Sequence, residues 1–429
     1  MDQTLVPMLG ILSLFVLIAL NIPVSFAMLL VGFAGVYHII GSAAAFNVIS
    51  AGIWEQLSSY PLSVIPLFIL MGEILSRSGI TKQLMTATYA WVGHRKGAMA
   101  STAILTGVGF GAVCGSNSAT TAAVGTIALP EMKRYGYHPS LSAGVVAAAG
   151  TLGTIIPPSA VLIIVALQAE LAIRDLFLAS VVPAMLLVSL FLLTIGALCL
   201  RNPAMGPAGT RTAFLERLKS LKGVIETVIL FCLVLGGLFA GWFTSTEAAA
   251  VGCLGAFIIC ASQRRVSWSS FKDAIKSTLA YSAMILMLIT GAVVFGRFLA
   301  ITRLPFIVAE WATQLPLPAI AIMATILLIF LIGGAIMDAM GFLVIAMPIF
   351  FPVAMSLGYE PIWFGVMVCI ATGMGAITPP IAVNAFIVHS LDPTLSFRTI
   401  MSGICYFLPA FLVTLILLLV FPGIVMFVL

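Results

Sequence analysis

Apolar residues run along this chain in long blocks. Leu5–Leu20, Val182–Leu200, Gly223–Gly241 and Leu408–Leu429 each approach the ~20 residues that a helix needs to cross a hydrocarbon core. The ten-residue alternation of barrel strands is missing. In lipid, helices are the remaining way to satisfy every backbone group. The pattern therefore predicts an all-α integral membrane bundle of roughly ten to thirteen embedded pieces. Two kinds of interruption break the blocks. One is short and polar or glycine-rich: "GFGAVCGSNSAT" (Gly109–Thr120) and "LIGGAIMDAMGF" (Leu331–Phe342). The other ends in a proline pair: "GTLGTIIPP" (Gly150–Pro158) and "TGMGAITPP" (Thr372–Pro380).

These interruptions belong to an internal repeat. "YGYHPS" at Tyr135–Ser140 matches "LGYEPI" at Leu357–Ile362, and "GTIIPPSAV" at Gly153–Val161 matches "GAITPPIAV" at Gly375–Val383, all at one ungapped offset of 222 residues. Pro130 then meets Pro352, and Gly111 meets Gly333. "ILMGEIL" (Ile69–Leu75) and "LITGAVV" (Leu288–Val294) pair at a slightly different offset. Periodic matches of this length mark duplicated architecture.

After the first polar interruption the return arm, Ala119–Pro130, is about 12 residues long, roughly 18 Å at the helical rise. Such an arm is too short to cross and predicts a re-entrant hairpin with Ser116, Asn117 and Ser118 at its tip. Each Gly-rich, Pro-Pro run reads as a membrane helix broken at mid-depth, because glycine loosens a helix and proline removes a donor. Broken helices at matching places in two repeats point to a transporter's central site, where carbonyls hold a cation and helix N-termini face an anion.

The first repeat offers the cation only neutral oxygens, from Gly115, Ser116, Asn117 and Ser118 and from the backbone near Gly150, Gly153 and Pro157. The second offers Gly334, Asp338, Thr372, Gly375 and Thr378. These are hard ligands suited to Na+ as coupling ion, and no organic cofactor is expected. Ser116, Asn117, Thr154, Thr378 and Asn384 are the candidate substrate contacts. The repeat mates of Thr378 and Asn384 are Ile156 and Leu162, an asymmetry that suits an asymmetric substrate. Asp338 fits a helix cap as well as an ion ligand. Thr120 and Thr121 fit back-bonding to the preceding turn. Glu73 fits structural pairing with a cation, and Arg297 and Arg303 fit interfacial anchors.

The 429 residues are 62% hydrophobic and 8% charged, with mean hydropathy +1.22. The net charge of +5 is concentrated in two loops, one with Arg201, Arg211, Arg217, Lys219 and Lys222, the other with Arg264, Arg265, Lys272 and Lys276. Two spans separate the loops, so both face one side, which the positive-inside rule makes cytoplasmic. That clustering is a topology signal and no footprint of nucleic acid. The seven cysteines lie within apolar segments without a CxxC and are expected as buried small hydrophobes. Leu5–Leu20 reads as a retained helix. The predicted layout is scaffold helices over 1–65; a first repeat over 66–200, with its hairpin at about 98–132 and broken helix at about 141–168; basic loops and scaffold helices over 201–287; a second repeat over 288–400, with its hairpin at about 317–355 and broken helix at about 362–390; and a C-terminal helix over 401–429.

"PLFILMGEIL" (Pro66–Leu75), "GSNSATTAAVG" (Gly115–Gly125), "GTLGTIIPPS" (Gly150–Ser159), "PIFFPVAMSLGYEP" (Pro348–Pro361) and "GAITPPIAVN" (Gly375–Asn384) follow one another in an order that resembles the large membrane subunit of tripartite ATP-independent periplasmic (TRAP) transporters. The resemblance covers the chain from about Met1 to Leu429. It implies an inverted-repeat, elevator-type secondary transporter in the bacterial inner membrane, coupled to sodium. It also implies a carboxylate substrate, a periplasmic substrate-binding protein, and a small four-helix membrane subunit expected as a separate chain. A two-component divalent-anion/sodium symporter without a binding protein is the nearest alternative, and an ion channel a more distant one. An intramembrane protease would need a second carboxylate or a Ser–His pair near Asp338, which the repeat does not provide, so no enzymatic activity is expected.

Overall fold

The computed structural model describes residues 5–209 and 211–429. Every regular element among them is helical. The chain opens with α1 (Leu5–Ala19), α2 (Val24–Ile40) and α3 (Ser42–Leu57), followed by α4 (Val64–Arg77) and α5 (Ile80–Val92). Helices α6 (Ala98–Cys114) and α7 (Asn117–Arg134) pack as a hairpin, and α8 (Pro139–Ile155) and α9 (Ala160–Gln168) are two halves bent by 40° at the first proline pair. The long α10 (Ile173–Arg201) leads to α11 (Phe214–Leu221), α12 (Ile225–Phe239) and α13 (Ser245–Ser262). The second repeat comprises α14 (Trp268–Ile301), α15 (Leu304–Gln314), the hairpin α16 (Ala319–Ile336) with α17 (Ala339–Ser356), and the broken pair α18 (Pro361–Gly375) and α19 (Val383–Leu391). Three short helices close the chain: α20 (Phe397–Cys405), α21 (Leu408–Val420) and α22 (Gly423–Met426).

Among the described residues, seven helices are long and apolar enough to cross a membrane, or nine if each bent pair is one span. Helices α1, α2, α6 and α18 are apolar but shorter. Helix α8 is buried from Ser140 to Ile155 and α18 from Trp363 to Gly375. Helices apolar on every face belong in the centre of a bundle, and these two form the axis around which both hairpins pack. Amphipathic α11 has no buried residue and exposes Phe214, Leu215 and Leu218 beside Arg217 and Lys219. That pattern suits the membrane interface.

The two repeats run in opposite directions. The end of α19 lies at the base of the first hairpin, where Lys133 Nζ is 3.6 Å from Asp392 Oδ2 and 3.5 Å from Thr394 Oγ1. The Thr394 hydroxyl foremost, and then Lys133, hold the Asp392 carboxyl below its ordinary range. The end of α9, the repeat mate of α19, lies at the opposite end of the axis, beside the start of α18: a Cβ at Gly365 would stand 3.2 Å from Val165. Each broken helix therefore finishes where the other begins.

Five details differ from the sequence expectations. The return arm of the first hairpin is α7, 18 residues and roughly 27 Å long. Pro130 sits inside it, because one proline removes a single donor and bends a helix without having to end it. The second break is wider than the first: residues 376–382 separate α18 from α19, whereas 156–159 separate α8 from α9. Helix α14 runs unbroken through residues 287 and 288, so no boundary falls there. The C-terminal segment begins at Phe397 and is three helices, with Pro409 opening α21 and Pro422 following its end. Cys232 and Cys405 are exposed, while the other five cysteines are buried or half-buried.

Antiparallel repeats make a topological prediction. In a background with the seven native cysteines replaced, single cysteines in Lys133–His138 and in Ser356–Glu360 should react with impermeant maleimide from opposite faces of the membrane. Labelling of both from one side would mean parallel repeats.

Candidate functional site

The first tip is shaped by backbone geometry. Helix α6 ends on Gly115 at φ +62°, where its N–H closes onto Gly111 O at 2.8 Å. A Cβ there would meet left-handed strain and stand 2.7 Å from Pro158 O. The chain then extends through Ser116 and re-enters a helix at Asn117. The Gly115 carbonyl accepts from Ala160 N at 3.3 Å, and in the second repeat the Ala335 carbonyl accepts from Ile381 N at 3.3 Å. In both repeats a backbone amide just past the proline pair, the second residue after it in the first repeat and the next residue in the second, is tied to the end of the hairpin's first arm. Pro157–Pro158 and Pro379–Pro380 are both cis.

Side chains behind the first tip are largely committed to the backbone. Thr120 and Thr121 are buried and donate to Ser116 O at 2.7 Å and Asn117 O at 2.9 Å. Thr154 donates to Thr151 O at 2.7 Å, while its own carbonyl accepts from Ser159 Oγ at 2.8 Å. Gly150 and Gly153 lie where α7 presses on α8: a Cβ at Gly153 would stand 2.6 Å from Ser116 O. Gly334 and Gly375 play the same part for α16 on α18, where a Cβ at Gly334 would stand 2.7 Å from Thr372 O. Thr372 and Thr378 donate to Val368 O and Met374 O, both at 2.7 Å. Asp338 caps α17, accepting from Met340 N at 3.1 Å.

A buried side-chain contact also joins the repeats behind the tips. Fully buried Asn384 on α19 donates Nδ2 to Asn117 Oδ1 and to Ala147 O, both at 2.8 Å. Among the described residues its Oδ1 has no hydrogen-bond partner. An apolar residue such as Leu162, its repeat mate, could not make this bridge, so the asymmetry in the sequence corresponds to one cross-repeat clasp.

A cavity of about 380 Å³ brings the two tips together. It is lined by Cys114, Ser116, Ser118 and Ala119 of the first tip, and by Asp338, Met340 and Gly341 of the second. Pro23–Ser25 at the start of α2, Ile69 and Glu73 of α4, and Tyr281, Met284, Ile285 and Leu288 of α14 complete it, with Ala160 at the first break. Of the sequence-derived candidates, Ser116, Ser118 and Asp338 face this space. Asn117, Asn384, Thr154, Thr372 and Thr378 stand behind it and do not line it. Ser25 and Tyr281 were not singled out by the sequence, because they lie outside the repeat motifs. Glu73 both pairs, with Arg77 at 3.1 Å, and lines the cavity.

The clasp has a measurable consequence. Asn384→Ala would strip Asn117 Oδ1 and Ala147 O of their shared donor, at about 1–3 kcal/mol for each group left unsatisfied. It should lower the unfolding midpoint of the detergent-solubilised protein. Asn117→Ala combined with Asn384→Ala should cost less than the sum of the single losses. Strictly additive losses would show that the two side chains do not act together.

Comparison with known proteins agrees with this architecture. Residues 11–424 match the family described as "Tripartite ATP-independent periplasmic transporter, DctM component". The C4-dicarboxylate TRAP transporter large permease protein of Pseudomonas aeruginosa is 35% identical over 79% of this chain and 79% of its own. The isethionate TRAP transporter permease protein DctMQ of Oleidesulfovibrio alaskensis is 32% identical over 81% of this chain and 56% of its own. Among solved structures, the YdaH transporter of Alcanivorax borkumensis superposes with a TM-score of 0.64 at 17% identity, over 90% of this chain and 89% of that one, a likeness of fold alone. With its inverted repeats, paired tips and family match over nearly its whole length, the chain belongs to the DctM component family of tripartite ATP-independent periplasmic transporters.

Proposed function

We propose that this chain carries a small organic anion, a carboxylate in the first instance, into the cell together with Na+, receiving it from a periplasmic binding protein and working beside a small four-helix membrane subunit. The observation that carries this reading is the charge of the cavity. Among the described residues its carboxylates are Glu73 and Asp338, and no lysine or arginine lines it. A carboxylate entering there meets acids, a repulsion of about 4 kcal/mol for a pair 4 Å apart at an effective dielectric of 20. Co-bound cations offset that cost. The oxygens at hand are hydroxyls, carbonyls and two carboxylates, the donor set of a hard cation. Asn384 Oδ1, without a partner among the described residues and one hydrogen bond from the first tip, is an acceptor in want of a donor or a cation.

In this reading Gly115, Ser116, Asn117 and Ser118 hold one ion against the backbone of Gly150, Gly153 and Pro157. Asp338, Gly334, Thr372, Gly375 and Thr378 serve a second. Ser116, Asn117, Thr154, Thr378 and Asn384 are the substrate-side candidates, with Ser116 the one that reaches the cavity directly. Both hairpins and both broken helices move as one carrier against α2, α4 and α14, in the manner of an elevator. Each hairpin enters the membrane and leaves by the same face. The relatives' names, one for C4-dicarboxylates and one for isethionate, support an anionic substrate.

The test is uptake into proteoliposomes that contain the chain, its candidate small subunit and its candidate binding protein. An inward Na+ gradient should drive accumulation, and Ser116→Ala with Asn117→Ala should reduce it at least about tenfold, the effect of losing ~1.4 kcal/mol of ion binding. Accumulation driven by a proton gradient in sodium-free buffer would overturn the coupling. Full uptake without a binding protein would replace the tripartite reading with that of a two-component symporter.

A further inference from the structure

Beyond one end of the cavity lies a tie between two helices outside the hairpins. Glu73 of α4 and Tyr281 of α14 line it. One turn beyond each of them, in the same direction, Arg77 Nη2 donates to Ser277 Oγ at 2.8 Å. Residues four apart share a helix face, so this bond continues the cavity wall. The same guanidinium reaches back to Glu73 Oε2, with Nε at 3.2 Å and Nη2 at 3.1 Å. Nη1 makes no hydrogen bond among the described residues. The Arg77 side chain keeps 32% of its surface exposed, against 18% for Glu73. Arg77 is the first cation along α4 past the lining, and it stands toward the start of α14, where Lys272, Arg264 and Arg265 form the basic loop.

We propose that Arg77 is a carboxylate-recognition residue at the release end of the cavity, held in reserve by Glu73. The inference rests on the reading that the cavity carries an organic anion. An anion leaving the tips, once its cations have gone, faces Glu73 and Asp338 and is repelled from both. The guanidinium fork is built to take a carboxylate on two parallel donors, and Nη1 is free to begin that exchange. Glu73 is the internal competitor: it keeps Arg77 neutralised until another anion displaces it. A neutral molecule of the same shape has no group with which to displace Glu73, so the pair selects for charge at exit as the cations do at entry. The substrate then passes from Arg77 to the basic loop, down a gradient of positive charge.

The experiment uses the reconstituted complex, with succinate and isethionate as the two probes. The quantity read is the luminal anion concentration that halves Na+-driven uptake. In Arg77→Gln it should rise about tenfold, the loss of one hydrogen-bonded charge pair, while the KM for anion delivered from outside stays at the wild-type value. Arg77→Lys, which keeps the charge but loses the fork, should fall between, and it supplies the test if Arg77→Gln does not fold. Glu73→Gln should lower the luminal concentration, because the competitor is gone. Ser277→Ala removes the tie between helices and leaves the guanidinium, so it should match wild type. A Ser277→Ala protein that reproduces the Arg77→Gln shift would make Arg77 a structural strut and overturn the proposal, as would unchanged luminal inhibition in both Arg77 variants. If the wild-type complex carries neither probe, the anion-carrier reading falls first and this inference with it.

Discussion

The carboxamide of Asn384 is the contact on which the arrangement of the two tips depends. It is fully buried, and it spends one nitrogen on two acceptors in the other repeat, Asn117 Oδ1 at the first tip and Ala147 O on the central helix. A buried amide without such partners would cost a large part of a protein's net stability. With them, it fixes the register of α19 against α7 and α8. The first tip and the second broken helix are then one packed body, although 267 residues separate Asn117 from Asn384 along the chain.

Around that clasp, small residues set the distances. Glycines at 150, 153, 334 and 375 let the hairpin arms lie on the central helices at backbone contact. This brings Ser116, Ser118 and Asp338 to a common cavity without any loop to carry them. The outer wall is supplied by α2, α4 and α14, which take no part in the clasp. The cavity separates the two groups of helices over part of their boundary; elsewhere they touch, with Gly72 of α4 at backbone distance from α6 and α14 packed on α17.

Much of this was legible in the sequence because glycine and proline act locally. The repeat, the breaks at the proline pairs and the tip at Gly115–Ser118 all follow from residues that forbid or permit particular backbone conformations where they stand. Pro130 misled for the same reason: its local penalty suggests a helix end, and the packing of α7 on α8 outweighs it. Thr120 and Thr121 were legible as back-bonded hydroxyls, since only their own helix is involved. Asn384 was conspicuous because its repeat mate is leucine, but its partners could not be named, because nothing near residue 384 specifies Asn117. Ser25, Tyr281 and the lining role of Glu73 were hidden in the same way. They come from three different helices, α2, α14 and α4, and nothing in the sequence near any of them says that the fold places them around one cavity.

The central claim is that the clasped body moves as a unit against the outer helices. Pulsed electron–electron distance measurements on the reconstituted complex test it directly, with spin labels at Arg134 and at Lys276 of α14 to span the two bodies and at Arg134 and Ser396 to stay within one. On addition of Na+ and transported anion, the spanning distance should change by about 5 Å or more, one helical turn of displacement, while the distance within the body stays fixed. A spanning distance that ignores Na+ and anion, or an Arg134–Ser396 distance that changes as much as the spanning one, would contradict the account.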